Sequence, residues 1–185
     1  MSNPVMEAIL SRSSIRGYLD KPLTEEQLTG LKQAALASPT AMNRQEQRFL
    51  FITNKEVIAK IDEAIVASFM ASGNTAIAER IRSRGGSSLY DPALFIGVFA
   101  KEGRFSGVNA GIAAENIAVA AKGLGLDSVI LAMPDAAFSG ERGKAFAAEL
   151  GVPEGYAFEI GLSVGYRAVE KEPHAWDESH VIEVK

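Results

Sequence analysis

Gly107-Val108-Asn109-Ala110-Gly111-Ile112-Ala113-Ala114-Glu115-Asn116-Ile117-Ala118-Val119-Ala120-Ala121-Lys122 decides how this chain folds. The run reads as a helix closed by Gly123 and Gly125. It is apolar nearly all round, through Val108, Ala110, Ile112, Ala113, Ala114, Ile117, Ala118, Val119, Ala120 and Ala121. A helix without a wet face is buried on all sides. In a chain of 185 residues, the size of one domain, the sequence predicts a central helix shared with a second subunit.

Outward from that helix, strands alternate with helices. Residues 3–12 read as a short helix with Val5, Met6, Ile9 and Leu10 on its apolar side. Pro22 precedes Thr24-Glu25-Glu26-Gln27, a capping box that opens a helix through Leu28, Leu31 and Ala35. Ser38-Pro39 ends it, because the residue before proline avoids the α region. A polar loop over 39–47 leads to a strand at 48–53, then a helix over 55–70 with Ile58, Ile61, Ile65 and Phe69 on one stripe. A basic helix at 75–84 runs into flexible Gly85-Gly86-Ser87-Ser88. Residues 93–100 are a continuous apolar run, hence a strand buried on both faces. Ser128–Leu131 is a strand, 140–150 a helix closed by Gly151, and Ala157–Val164 a further strand. The polar stretch 167–180 holds Trp176, and Val181–Val184 is a candidate edge strand. With no linker and no repeat, residues 1–185 read as one α+β domain, a three-layer α/β sandwich.

Composition narrows the chemistry. There is no Cys, which excludes disulfides, thiolate catalysis, Cys-ligated zinc and iron–sulfur clusters. The two His, His174 and His180, are too few for a His-rich metal site, so no metal is expected. Any redox chemistry therefore rests on a bound cofactor. A net charge of -4 offers no general attraction for nucleic acid or an anionic membrane, and Arg80, Arg82 and Arg84 read as a solvated helix face. No apolar run approaches the ~20 residues that span a bilayer. Met1-Ser2-Asn3-Pro4 lacks the pattern of a signal peptide, and the expected location is cytoplasmic.

Arg12-Ser13-Ser14-Ile15-Arg16 sets two guanidiniums and two hydroxyls within five residues. Arg offers a planar fork of charged donors and Ser a short neutral one, the mixture that a phosphate recruits. Arg in a last helical turn and Ser-Ser in a loop are also ordinary chain chemistry, so the segment alone leaves both readings open. Neither a Gly-x-Gly-x-x-Gly fingerprint nor a P-loop is present. Gly161-Leu162-Ser163-Val164-Gly165 matches the nucleophile elbow of a serine hydrolase, with Ser163 as nucleophile and His174 or His180 as base. An elbow needs a helix after it, whereas Tyr166-Arg167-Ala168-Val169 leads into a charged tail. The hydrolase reading is disfavoured.

Taken in order, Arg12–Arg16, Ser38-Pro39-Thr40-Ala41-Met42-Asn43-Arg44-Gln45, Leu89-Tyr90-Asp91-Pro92-Ala93, Asn109–Asn116, Leu124–Ser128 and Leu150–Tyr156 make the chain resemble the nitroreductase family. The likeness spans nearly the whole chain. It implies the family's three-layer, homodimeric α+β fold and an FMN-dependent NAD(P)H oxidoreductase, with FMN bound at the subunit interface. It also implies roles for single residues. Arg12 would meet the FMN phosphate with Ser14, Ser13 would sit by the ribityl chain, and Arg16 would lie near flavin N1 and O2. Pro39, Thr40, Ala41 and Asn43 would approach from the other subunit. Leu131 and Ala132 would lie near flavin N5, with the Ala132 N–H as donor, and His174 stands near the place of a family cation. No side chain would act as a catalytic acid or base. The resemblance implies a ping-pong scheme with nitroaromatic, quinone or flavin acceptors. A non-catalytic FMN carrier or sensor of the same fold is the alternative. Glu46 stands where the family usually has Pro, and Asn109 replaces a frequent Asp.

Overall fold

The computed structural model describes residues 3–83 and 85–185, so Arg84 of the expected basic face lies outside the described residues. Strands β1 (Gln47–Ile52), β2 (Leu94–Lys101), β3 (Asp127–Leu131) and β4 (Tyr156–Gly165) form one antiparallel sheet in the order β1-β2-β4-β3. Helices α2 (Glu25–Leu36) and α5 (Ser106–Gly123) pack on one face, and α1 (Pro4–Ser11) lies against α5. The other face carries α3 (Lys55–Ala71), α4 (Thr75–Ser83), α6 (Asp135–Phe138) and α7 (Gly140–Glu149). The expected three-layer sandwich forms.

The continuous apolar run of β2 is explained by its central place. Leu94, Ile96 and Val98 enter the α2/α5 core, and Phe95 and Phe99 enter the core on the opposite face. Gly97 and Gly161 stand opposite each other across β2 and β4. A Cβ on either would come within 2.9 Å of a phenylalanine ring, so the pair makes room for Phe95 and Phe99. Thr24 and Gln27 form the predicted capping box at the start of α2, each side chain bonded to the other's backbone. The short α6 carries no long apolar period and escapes a reading of the sequence.

Within one protomer the central helix is covered on only one arc. Ala110, Ala113, Ala114, Ile117, Ala118 and Ala121 are buried, but Gly107, Val108, Gly111, Ile112 and Glu115 are exposed on the opposite arc. Val108 is 60% and Ile112 40% exposed. Beside them α1 leaves Val5, Met6, Ile9 and Leu10 exposed, extending one apolar face. At the other end of the chain the candidate edge strand Val181–Val184 does not form. The edge of β3 is already engaged by Ser14, and the tail beyond a 3-10 turn at Glu178–His180 is extended and exposed.

Asp127 ties the sheet to that tail. Its buried carboxylate accepts from Arg167 Nε at 2.7 Å, Arg167 Nη2 at 2.8 Å and Lys122 Nζ at 2.9 Å. Burial pushes this carboxyl up, but the guanidinium and the ammonium outweigh it and hold it below the usual carboxylate range. The stabilisation is therefore complete above the ordinary value of 3.8 and is lost as pH falls through the lower folded value. Asp127→Asn is expected to cost about 3 kcal/mol at neutral pH and to remove this part of the acid limb, read by thermal melts across pH. Gly143 presents a separate constraint: a Cβ there would lie 2.1 Å from the Phe138 carbonyl carbon. Gly143→Ala is expected to destabilise by about 3 kcal/mol, the upper end of overpacking, in urea denaturation.

Candidate functional site

Residues 12–16 run extended after α1, and their alternation sorts the candidate residues. Ser13 and Ile15 turn inward, while Arg12, Ser14 and Arg16 lie on the outer side. The Ile15 N–H donates to the Ser128 carbonyl at 3.1 Å, pairing this segment with β3. Tyr18, which sequence reasoning passed over, locks the segment from below: its hydroxyl lies 2.9 Å from both the Ile15 and the Ser163 carbonyl oxygens. Its ring packs on Gly165, where a Cβ would come within 3.0 Å. The Ser13 hydroxyl, expected beside a ribityl chain, instead donates to the Lys171 carbonyl at 2.8 Å and anchors the C-terminal tail.

The two cations keep most of their donors unspent. Arg12 Nε lies 3.5 Å from Glu115 Oε1, and Arg16 Nη1 lies 3.4 Å from the Ser14 carbonyl. Among the described residues neither guanidinium makes a bidentate pair, which leaves charged donors unspent on both. At the far end of β3, Leu131 is buried and Ala132 is exposed. The Ala132 carbonyl accepts from Asp135 to start α6, but its N–H finds no protein acceptor among the described residues.

The loop of Pro39, Thr40, Ala41 and Asn43 is built elsewhere on α5. Asn109 Oδ1 accepts from the Ala41 N–H at 3.0 Å, a role open to Asn or Asp alike. Thr40 Oγ1 accepts from Gln45 N at 3.0 Å, and Asn43 Oδ1 from Gln45 Nε2 at 2.8 Å. These bonds hold Met42, Asn43 and Gln45 at left-handed φ values of 55°, 51° and 52°. At the loop exit the main-chain carbonyl of Glu46 accepts from Lys101 N at 3.2 Å, a bond that the family's proline would allow equally. Within one protomer Arg12 and Ala41 thus sit on α5 six residues apart, at Glu115 and Asn109, about 9 Å along the helix. His174 is exposed on the tail, three residues past the Lys171 anchor.

Ser163 is no nucleophile. It is fully buried inside β4, paired with Phe95 and Val129, and no α-helix follows it. Both histidines of the hydrolase reading are exposed. Among the described residues no group of three or more His, Asp or Glu could hold a metal ion, and no helix is long and apolar enough to cross a membrane.

Known proteins share this fold. A nitroreductase with bound FMN from Desulfitobacterium hafniense has a solved structure that superposes with a TM-score of 0.92 at 30% identity, covering 100% of both chains. A putative NADH dehydrogenase/NAD(P)H nitroreductase from Archaeoglobus fulgidus is 28% identical over 173 residues, 94% of this chain and 91% of that protein. A 61-residue stretch, 33% of this chain and 24% of the relative, is 33% identical to an FMN reductase [NAD(P)H] from Bacillus subtilis. Residues 9–166 match the model of the nitroreductase family, and the chain belongs to that family.

Proposed function

We propose that the protein is an FMN-dependent oxidoreductase. It takes hydride from NADH or NADPH and passes electrons to nitroaromatic, quinone or flavin-type acceptors in ping-pong order. One observation carries this reading: Arg12, Ser14 and Arg16 share the outer side of a segment paired with β3, whose far end presents the unpartnered Ala132 N–H. That donor set fits a flavin with a phosphate tail, cations and a hydroxyl at one end and a lone amide donor at the other. Bound FMN supplies the hydride-accepting N5 and the electron release that no side chain of a cysteine-free protein provides.

The chain's own residues then have distinct tasks. The Arg12 fork and the Ser14 hydroxyl hold the phosphate. Arg16 offers positive charge where negative charge develops near N1 and O2. The Ala132 N–H donates toward N5, and buried Leu131 takes part through its backbone. Ser13 contributes by ordering the tail, its hydroxyl being committed to Lys171. Exposed His174, three residues beyond that anchor, would add a cation when protonated.

Pro39, Thr40, Ala41 and Asn43 require a second copy. A two-fold axis crossing α5 near Ile112 pairs two such helices antiparallel and exchanges the positions of Asn109 and Glu115. The partner subunit's Thr40 loop, tied to its Asn109, then lies beside Arg12. Two features of the open arc support this packing. Val108 and Ile112 are exposed, and a Cβ on Gly111 would meet nothing within 4 Å in its own protomer. Small residues on an apolar helix face allow another helix to approach closely.

The decisive experiment is anaerobic mixing of the yellow protein with NADH or NADPH. Bleaching of the visible band supports the enzyme, and lasting colour with both donors supports the carrier reading. Arg12→Ala is expected to weaken FMN retention by about 1.5–3 kcal/mol, the worth of a charged hydrogen bond, in an equilibrium titration. Arg16→Ala is expected to slow flavin reduction more than it weakens binding, measured by stopped-flow. Ile112→Glu is expected to give a monomer in sedimentation that has lost FMN. A stable monomer that keeps its flavin would refute the shared site.

A further inference from the structure

We propose that Tyr90 is a contact for the flavin ring system and that the buried carboxylate of Asp62 is the positioning residue that holds it there. The proposal rests on the FMN reading above and extends it to two residues outside the segments already assigned.

The starting observation is backbone geometry. Tyr90 and Asp91 adopt left-handed φ values of 66° and 51° in succession. For a bulky residue this is a true outlier, and such strain persists only where surrounding bonds over-determine it. Here they do. Asp62, on the buried stripe of α3, accepts from Ser88 N at 2.7 Å, Leu89 N at 3.1 Å and Ser87 Oγ at 2.9 Å, and also from the Ser88 hydroxyl. The Ser87 hydroxyl in turn accepts from Asp91 N at 3.0 Å, closing the turn around Tyr90. Lys55 Nζ donates to the Pro92 carbonyl at 3.1 Å, fixing the exit into β2. Burial pushes the Asp62 carboxyl up and the Ser88, Ser87 and Leu89 donors oppose it, so this anchor spends a buried acid on a single turn.

The turn sets the Tyr90 ring at the rim of the core, where it packs with Met133 against the buried residues of that face. Tyr90 is only half-buried, and its hydroxyl makes no hydrogen bond among the described residues. Its position explains it better. Tyr90 and Met133 line one narrow cleft with Ile77 and Arg80, and Met133 directly follows Ala132. Through Met133, Tyr90 stands next to the free amide at the end of β3. An aromatic face beside a thioether suits a planar aromatic heterocycle.

The test separates ring contacts from phosphate contacts. Apoprotein of the wild type, Tyr90→Leu, Tyr90→Phe and Arg12→Ala is titrated with FMN and, separately, with riboflavin. Tyr90→Leu is expected to weaken both ligands by the same factor, about two- to tenfold, and Tyr90→Phe to bind both as the wild type does. Arg12→Ala is expected to weaken FMN alone. If Tyr90→Leu binds both flavins like the wild type, or loses only FMN affinity, the ring contact is overturned while the FMN reading stands. A wild type that binds neither flavin overturns both.

Asp62→Asn is read by affinity as well as by melting, because a merely structural anchor would lower only the Tm. It is expected to weaken both flavins, and Asp62→Asn/Tyr90→Leu is expected to bind no more weakly than Tyr90→Leu alone. Additive losses, or unchanged affinity in a folded Asp62→Asn, overturn the positioning role.

Discussion

A helix that is apolar around most of its circumference needs partners on two sides, and α5 finds only one of them in its own protomer. Its inner arc of alanines and Ile117 packs on the sheet, where small side chains let the helix sit close. Its outer arc leaves Val108, Gly111 and Ile112 open beside the equally open face of α1. Both halves of the candidate site hang from this helix. Arg12 meets it at Glu115, and the strained 39–45 loop meets it at Asn109. The same covering that buries the outer arc is what would bring those halves together.

The electrostatics follow a similar division of labour. Asp127 gathers Arg167 and Lys122 into a buried knot that satisfies all three groups and starts the tail on its course. Arg12 and Arg16 are left with spare donors a few residues away in the same region. Their spare donors give the outer side of the 12–16 segment a local capacity for anions that the -4 net charge of the whole chain does not reveal.

Long periodic elements were legible because their burial is local in origin. The helix stripe of Ile58, Ile61 and Ile65, the Thr24–Gln27 capping box and the apolar run of β2 each carry their signal within one window. Residues whose role depends on a distant partner were not legible. Tyr18 bonds the Ser163 carbonyl far along the chain, and Asp62 serves a turn that begins 25 residues later. The one available hint for Asp62 was a carboxylate set among the buried isoleucines of α3. Val181–Val184 has strand composition but pairs with no strand among the described residues, since strand formation depends on a tertiary neighbour as well as on propensity.

Periodicity and motif order alone point to the three-layer class and to the family, because side-chain type and spacing are properties of the local chain. The folded arrangement decided which hydroxyl faces outward. Ser13 and Ser14 are identical in the sequence and differ only because an extended strand sends neighbours to opposite sides. It likewise decided that Ser163 is a buried strand residue, that half of α5 stays uncovered within the protomer, and that Tyr90 is held in a left-handed turn. Each of these depends on contacts between segments far apart in the chain, which no window of sequence contains.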